Sequence, residues 1–342
     1  MAGPVTTDRQ YRQVLTTALA FRQTEIQDLV FNSNPVSMIL KDRGMFKSFT
    51  GPEIRVPLTI DKLDGQWFSG FDKLNNQPKE IINSAVFTPK NLAVGFSLSG
   101  TEIRGNEGRT QIIDIGEAYL DNATESMRDE WEIALHADGS GSGGRQMIGL
   151  GGALPIIPTT GVYGGIDRAL HTIWQPSVFD AATDFTTLGA TGWDSTTARP
   201  IIENVTARRS KGNRFASIWI GDLNSYQALS ASMVAHQRIV RDNGGTATAG
   251  FNGLEVATPS GNVTFYCATG VGTVMPANTC YFIEPRSLEV RFMSNYNMVP
   301  LFPGDGATPV NQDAYAQYLL WVGELLLTNP RYSGRLLATP TP

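Results

Sequence analysis

Two stretches of the chain alternate. Ile54-Arg55-Val56-Pro57-Leu58-Thr59-Ile60 and Leu92-Ala93-Val94-Gly95-Phe96-Ser97-Leu98 each carry an apolar residue at every second position, the period of a strand with one buried face. A tight hairpin closes in about two to five residues, yet about thirty separate these two runs. The insert begins DKLDGQWFSGFDKLNNQPKE, with Trp67, Phe68 and Phe71 set among charges, glycines and amides. The pattern predicts a long two-stranded arm that holds aromatic side chains at its far end.

The period then changes from two to three and four. Ile112, Ile115, Tyr119, Ala123, Met127, Trp131 and Ala134 form one stripe, and Asp114, Glu117, Asp121, Glu125, Arg128 and Asp129 lie largely opposite. Such a stripe predicts an amphipathic helix over 111–136, about 39 Å long at 1.5 Å per residue. Its length makes it a spine. Upstream, Tyr11, Val14, Leu15, Ala18 and Leu19 predict a helix over 7–31 that stops at Asn32-Ser33-Asn34-Pro35, followed by a short helix over 36–40 that ends near Gly44.

Gly139-Ser140-Gly141-Ser142-Gly143-Gly144 reads as a flexible connection between two parts of the molecule. Beyond it the pattern is mixed. Helices are expected over 194–209, with Pro200 in the first turn or marking a later start, and over 223–236; a buried strand falls at 215–220. A glycine-rich loop covers 240–252, strands are expected at 254–257, 263–268, 279–283 and 288–292, a turn at 302–306, and a long apolar strand at 315–327. The class is α+β.

Composition narrows the function. The chain has 342 residues, 41% of them hydrophobic, and a formal net charge of -5, so it can bury a large core and has no bulk electrostatic pull toward nucleic acid or anionic lipid. No apolar run reaches the length of a membrane span, and the polar start MAGPVTTDRQYRQ is not a signal peptide, so the expected product is soluble and cytosolic when made. Cys267 and Cys280 read as reduced, small core residues.

Chemistry is sparse. His136, His171 and His236 have no ligand-spaced partners, and neither a G-x-S-x-G elbow nor a catalytic cysteine signature occurs. The glycines of 139–152 lack the order of a phosphate loop. Arg208-Arg209-Ser210-Lys211-Gly212-Asn213-Arg214 could touch phosphate, but reads better as a solvated helix end, where cations complement the dipole. No cofactor and no metal are expected. Exposed aromatics on an arm are a liability for a monomer and become anchors when laid on a neighbour; each half of the arm, if extended, would reach up to about 65 Å.

The order of these parts resembles the major capsid proteins of tailed bacteriophages, the Hong Kong 97-like fold. The resemblance covers nearly the whole chain. It rests on Arg55-Val56-Pro57-Leu58, on Ser97-Leu98-Ser99-Gly100-Thr101-Glu102 followed by Asn106-Glu107-Gly108, and on the helix running into Asp138-Gly139. Ile148-Gly149-Leu150 and Leu319-Leu320-Trp321-Val322-Gly323-Glu324-Leu325 ahead of Asn329-Pro330-Arg331 complete it.

The resemblance implies an N-terminal arm and lead-in over 1–49 and an extended loop over 50–100. It further implies a peripheral domain with the spine helix over 101–150 and 310–342, and an axial domain over 151–309. Trp67, Phe68, Phe71, Lys62, Lys73 and Lys79 would lie at contacts between subunits, and Gly244 and Gly245 near a symmetry axis. It implies hexamers and pentamers of one subunit closing into an icosahedral shell around double-stranded DNA held without sequence-specific contacts, with portal, decoration and scaffolding proteins as further partners. The site of residence would be the virion, and the host cytoplasm during assembly.

The family pattern is departed from twice. Some members carry a long N-terminal scaffolding region, whereas here the arm begins almost at Met1, so scaffolding is expected as a separate protein or as a segment already removed. Others link lysine to asparagine between subunits, and no crosslink is assigned to Lys62, Lys73 or Lys79. An encapsulin-like bacterial compartment on the same fold is the nearest alternative. A soluble hydrolase with its site across the Gly/Ser segment is the competing class, and no nucleophile and base mark it.

Overall fold

The structure, a computed structural model, describes residue 26 and residues 35–59, 65–74, 82–101, 109–234, 253–268, 275–301 and 313–338. The expected N-terminal helix over 7–31, apart from Ile26, lies outside them, as do the loop at 240–252 and the turn at 302–306.

Helix α1 (Pro35–Asp42) buries Val36, Met38, Ile39 and Leu40 and stops where Gly44 takes a positive φ of 64°, a conformation glycine adopts without strain. Strands β1 (Phe46–Phe49), β2 (Ile54–Thr59), β3 (Ile82–Phe87) and β4 (Lys90–Ser99) follow. The expected spine is present as α2 (Arg109–His136). After it come the short strands β5 (Val162–Tyr163) and β6 (Ile166–Asp167), then β7 (Ser177–Asp180), α3 (Ala198–Arg208), β8 (Ile218–Gly221) and α4 (Leu223–Val234). The chain closes with β9 (Leu254–Thr258), β10 (Gly261–Cys267), β11 (Thr279–Ile283), β12 (Leu288–Pro300), β13 (Ala314–Leu327) and β14 (Gly334–Leu337).

Two larger sheets organise the molecule. One has four strands in the order β1-β12-β13-β4; the other has six in the order β7-β14-β11-β8-β10-β9. The spine lies over the first sheet. Leu120, Met127, Trp131 and Leu135 are buried there, and the Trp131 and Trp321 rings meet edge to face at 4.5 Å, a favoured geometry for opposed quadrupoles. Trp131 Nε1 donates to Ser37 Oγ at 2.9 Å, which satisfies the one polar atom of the ring and pins α1 to the spine. The second sheet has its own core of Trp193, Trp219, Phe265 and Phe282, against which α3 and α4 pack.

Three expectations change. The alternating runs at 54–60 and 92–98 do not pair with each other. β2 pairs with β3, Ile54 opposite Phe87, while β4 pairs antiparallel with β13 from Ala314 opposite Ser99 to Gly323 opposite Lys90. The sequence shows two half-buried strands and cannot show which long-range partner each takes.

The Gly/Ser segment takes a defined turn, with Gly144 N donating to Ser140 O at 3.1 Å and Gly144 O accepting from Lys90 Nζ at 2.7 Å. Asp138 accepts from Ser140 N at 2.9 Å and from its hydroxyl at 2.6 Å, and Met147 and Leu150 are buried. The chain doubles back on the end of α2 so closely that a Cβ at Gly149, Gly151 or Gly152 would run into the carbonyls of Ala134, His136 or Asp138. These glycines serve close packing.

Helix α3 starts at Ala198, later than 194, because the Asp194 carboxylate accepts from Thr196 N at 2.7 Å and Thr197 N at 2.9 Å. Although burial works against it, these bonds hold the Asp194 carboxyl below its ordinary value. Pro200 falls in the first turn, where its missing N–H costs nothing.

Candidate subunit-contact surface

The arm has a buried base and a bare tip. At the base Ile54, Ala85 and Phe87 are buried, the Phe87 ring meets Tyr163 edge to face at 5.1 Å, and Val86 N donates to Gly164 O at 2.9 Å. The turn between β5 and β6 thus clamps the ladder to the body. Along β2 burial fades toward Thr59, and the ladder ends at Thr59 opposite Ile82.

At the tip, Trp67 is 102% exposed, Phe71 106% and Phe68 66%. Leu74 and Lys73 are exposed beside them. The tip has local structure: Asp72 N donates to Ser69 O at 2.8 Å and Ser69 N to Asp72 Oδ2 at 2.8 Å, a reciprocal turn that sets the spacing of Phe68 and Phe71. The structure therefore brings Trp67, Phe68, Phe71 and Lys73 to one segment. Lys62, Lys79, Gly244 and Gly245 lie outside the described residues.

A second exposed apolar surface was not anticipated. Ile156, Ile157, Val162 and Leu170 are all more than half exposed, on or beside the β5–β6 hairpin that clamps the arm. A signal existed in Leu154-Pro155-Ile156-Ile157-Pro158, an isoleucine pair bracketed by prolines that can extend neither a helix nor a sheet ladder. Val162 alternates with Tyr163, whose side chain enters the core and whose hydroxyl accepts from Leu327 N at 2.9 Å.

The titratable groups displaced from ordinary behaviour are structural. His136 is buried, its ring stacked near Tyr281 at 6.3 Å, with neither ring nitrogen hydrogen-bonded; burial pulls it down to about 4. Glu324, on β13, accepts from Ile148 N at 2.7 Å, and burial pushes it up to about 8 against the pull of that bond and of Lys90. Glu324 thereby holds the turn after the spine, while His136 packs as a buried ring toward β11. Cys267 and Cys280 are free thiols, the latter buried and pushed well above its usual range. Among the described residues no group of three or more His, Cys, Asp or Glu side chains could hold a metal ion, and no helix is long and apolar enough to cross a membrane.

No protein-family model matches the chain, and no curated protein does. Solved structures do. The capsid asymmetric unit of cyanophage A-1(L) matches with a TM-score of 0.60 at 14% identity, over 87% of this chain and 91% of that one. The chain has the Hong Kong 97-like capsid fold. The capsid of a native GTA particle shares it with a TM-score of 0.55 at 12% identity, over 89% of this chain and 90% of that one. The capsid of Myoviridae phage XM1 does so with a TM-score of 0.50 at 11% identity, over 88% and 92%. A capsid fold accounts for the combination seen here, a well-packed body and an arm whose Trp67 and Phe71 side chains are fully exposed.

Proposed function

We propose that this chain is the major capsid protein of a tailed bacteriophage, a subunit that forms hexamers and pentamers and closes an icosahedral head around double-stranded DNA. The observation that carries the reading is the bare tip of the arm on a capsid fold. Three aromatics at about 150–250 Å² each would bury roughly 450–750 Å², close to the ~800 Å² per partner of a stable interface. The base of the arm is clamped by the β5–β6 hairpin and the tip lies beyond the far end of the ladder, so the tip finds its cover on a second copy.

Within this reading the lead-in is 1–49, the peripheral part is 101–150 with 310–342, and the axial part is 151–309, with Gly244 and Gly245 at a symmetry axis. The arm assigned to 50–100 narrows to 54–87, since β4 is a full member of the four-stranded sheet. Lys62, Lys73 and Lys79 act as contact residues on the arm without a covalent link. DNA is held by enclosure, with no sequence-specific contact.

The test replaces residues 64–78 with a short Gly-Ser turn and compares the two proteins by negative-stain electron microscopy and sedimentation. The native chain, alone or with its neighbouring genes, should give closed shells or rings of five and six; the variant should give a folded subunit without them. A native chain that stays monomeric or dimeric under every condition refutes the reading. Shells that enclose a cargo enzyme would assign it to a bacterial compartment.

A further inference from the structure

Among the described residues, the large hydrophobic side chains that are more than half exposed gather in two places. Trp67, Phe68, Phe71 and Leu74 form the tip of the arm. Ile156, Ile157, Val162 and Leu170 lie on or beside the β5–β6 hairpin. The arm itself holds the two sets apart. The hairpin grips the ladder at Val86, and the ladder runs on to Ile82, about 13 Å further at 3.3 Å per residue. Trp67 and Phe71 are fully exposed, so a subunit's tip leaves its own hairpin face uncovered.

The hairpin face is fixed in place by a buried cation. Arg168 donates through its guanidinium to Gly152 O at 2.9 Å and Ala153 O at 3.0 Å, and its backbone N–H donates to Gly161 O at 3.1 Å. These bonds tie the hairpin to the segment that carries Ile156 and Ile157, and Leu170 follows two residues after Arg168. The face is also poor in charge. No Asp, Glu, Lys, Arg or His occurs from Gln146 to Ile166, and apolar side chains left in water on a surface depleted of charge are the composition of an interface core. Asp167 stands opposite Val162 in the ladder. The tip offers the complementary charge, since Lys73, exposed two residues past Phe71, is the one cation of residues 65–74.

We propose that the arm tip of one copy docks on the Ile156, Ile157, Val162 and Leu170 face of the next, with Lys73 set against Asp167. The proposal rests on the shell reading and names the surface that receives the tip. Three aromatics bring roughly 450–750 Å² and need a broad apolar cover to approach the ~800 Å² per partner of a stable contact. Away from the tip and this face, the exposed large apolar side chains of the described residues are all less than half exposed. Tip and face are different surfaces of one chain, so each copy gives its tip to one neighbour and its face to another. Such head-to-tail contacts generate rings when the rotation closes, whereas tip against tip would stop at a pair.

The test puts the photo-crosslinking residue benzoylphenylalanine in place of Phe71 in the full chain, an aromatic for an aromatic, and assembles an equal mixture of isotope-labelled and unlabelled copies. After irradiation, mass spectrometry of the peptides should join position 71 of one copy to the segment 154–172 of another. Ile157→Asp and Leu170→Asp place a charge on the face and should each raise the concentration needed for assembly by about tenfold or more. Both side chains are exposed, so the denaturant midpoint of the subunit should stay where it is. Lys73→Ala should raise the assembly concentration by up to about fivefold in the native chain and leave it unchanged in Asp167→Asn, which keeps the acceptor for Ala169 N; equal losses in both backgrounds would overturn that pairing. A native chain that stays monomeric would overturn the shell reading and this contact with it. Rings or shells whose crosslinks fall on other segments or within one copy, or Asp variants that assemble as the native chain does, would overturn the contact and leave the shell reading standing.

Discussion

Trp67 and Trp131 are the same side chain in opposite circumstances. Trp131 is fully buried between the spine and the four-stranded sheet, edge to face with Trp321 and with its indole N–H bonded to Ser37. Trp67 stands at the tip of the arm, 102% exposed. Burial of a large aromatic contributes to folding only where the fold itself removes it from water, so the first stabilises the subunit and the second has nothing to stabilise until another surface covers it. On the proposed reading, an aromatic at such a place awaits the cover of a second copy.

The comparison breaks most readily at the buried end. Trp131→Ala should cost about 3–5 kcal/mol of subunit stability, read as a fall in the denaturant midpoint with unchanged slope. A loss below about 1 kcal/mol would mean that the spine is not held by this contact, and the contrast with Trp67 would fail.

The next test titrates the same buried region. Glu324 is raised from 4.5 to about 8, so the folded state keeps a proton that the unfolded chain releases, and its contribution is lost as pH rises from 4.5 through about 8. His136 is lowered from 6.5 to about 4, so the unfolded chain binds the extra proton and its contribution is lost as pH falls from 6.5 through about 4. Between 4.5 and 6.5 the two slopes oppose; above 6.5 Glu324 acts alone. At ~1.4 kcal/mol per unit, stability should fall by about 2 kcal/mol from pH 6.5 to 8. Glu324→Gln keeps an acceptor for Ile148 N and should flatten that limb, whereas His136→Phe should flatten only the acid one. Unchanged limbs in both variants would remove these groups from the account.

Ser37→Ala probes the smaller, polar part of the same contact. It leaves the Trp131 N–H buried without its acceptor and should cost about 1–3 kcal/mol. Tm measured beside a Ser37→Thr variant, which keeps a hydroxyl, separates the lost bond from the lost volume, and equal losses in the two would assign the cost to packing.

The residues explain what sequence could and could not disclose. The spine was legible because Ile112 to Ala134 repeat at helical spacing along one unbroken element, and the exposed aromatics because Trp67, Phe68 and Phe71 sit in a polar segment with no period at all. Strand partners were not legible: β4 alternates equally well whether it meets β2 or β13. Strand β12 was read only to Phe292, because past it the register with β13 shifts between Phe292 and Asn297 and the exposed Ser294-Asn295-Tyr296 run erases the alternation. The glycines after the spine misled for a related reason. Glycine marks freedom in one setting and a positive φ or a close approach in another, and only the folded chain shows that Gly139, Gly143 and Gly144 take positive φ while Gly149, Gly151 and Gly152 lie against the carbonyls at the end of α2.

The smallest expected effect is the most telling. Trp67→Ala removes the largest side chain at the arm tip, yet that side chain touches nothing in its own subunit, so the subunit's denaturant midpoint should move by no more than about 0.5 kcal/mol. Sedimentation of the same preparation should show the loss of rings or shells, because an aromatic anchor at the centre of a contact is worth about 2 kcal/mol or more, and a closed assembly repeats the deficit at each copy. A stability change as large as that of Trp131→Ala would place Trp67 in the fold of its own subunit. Shells as stable as native ones would move the contact to the exposed surface around Ile157 and Leu170, leaving the tip without its proposed role.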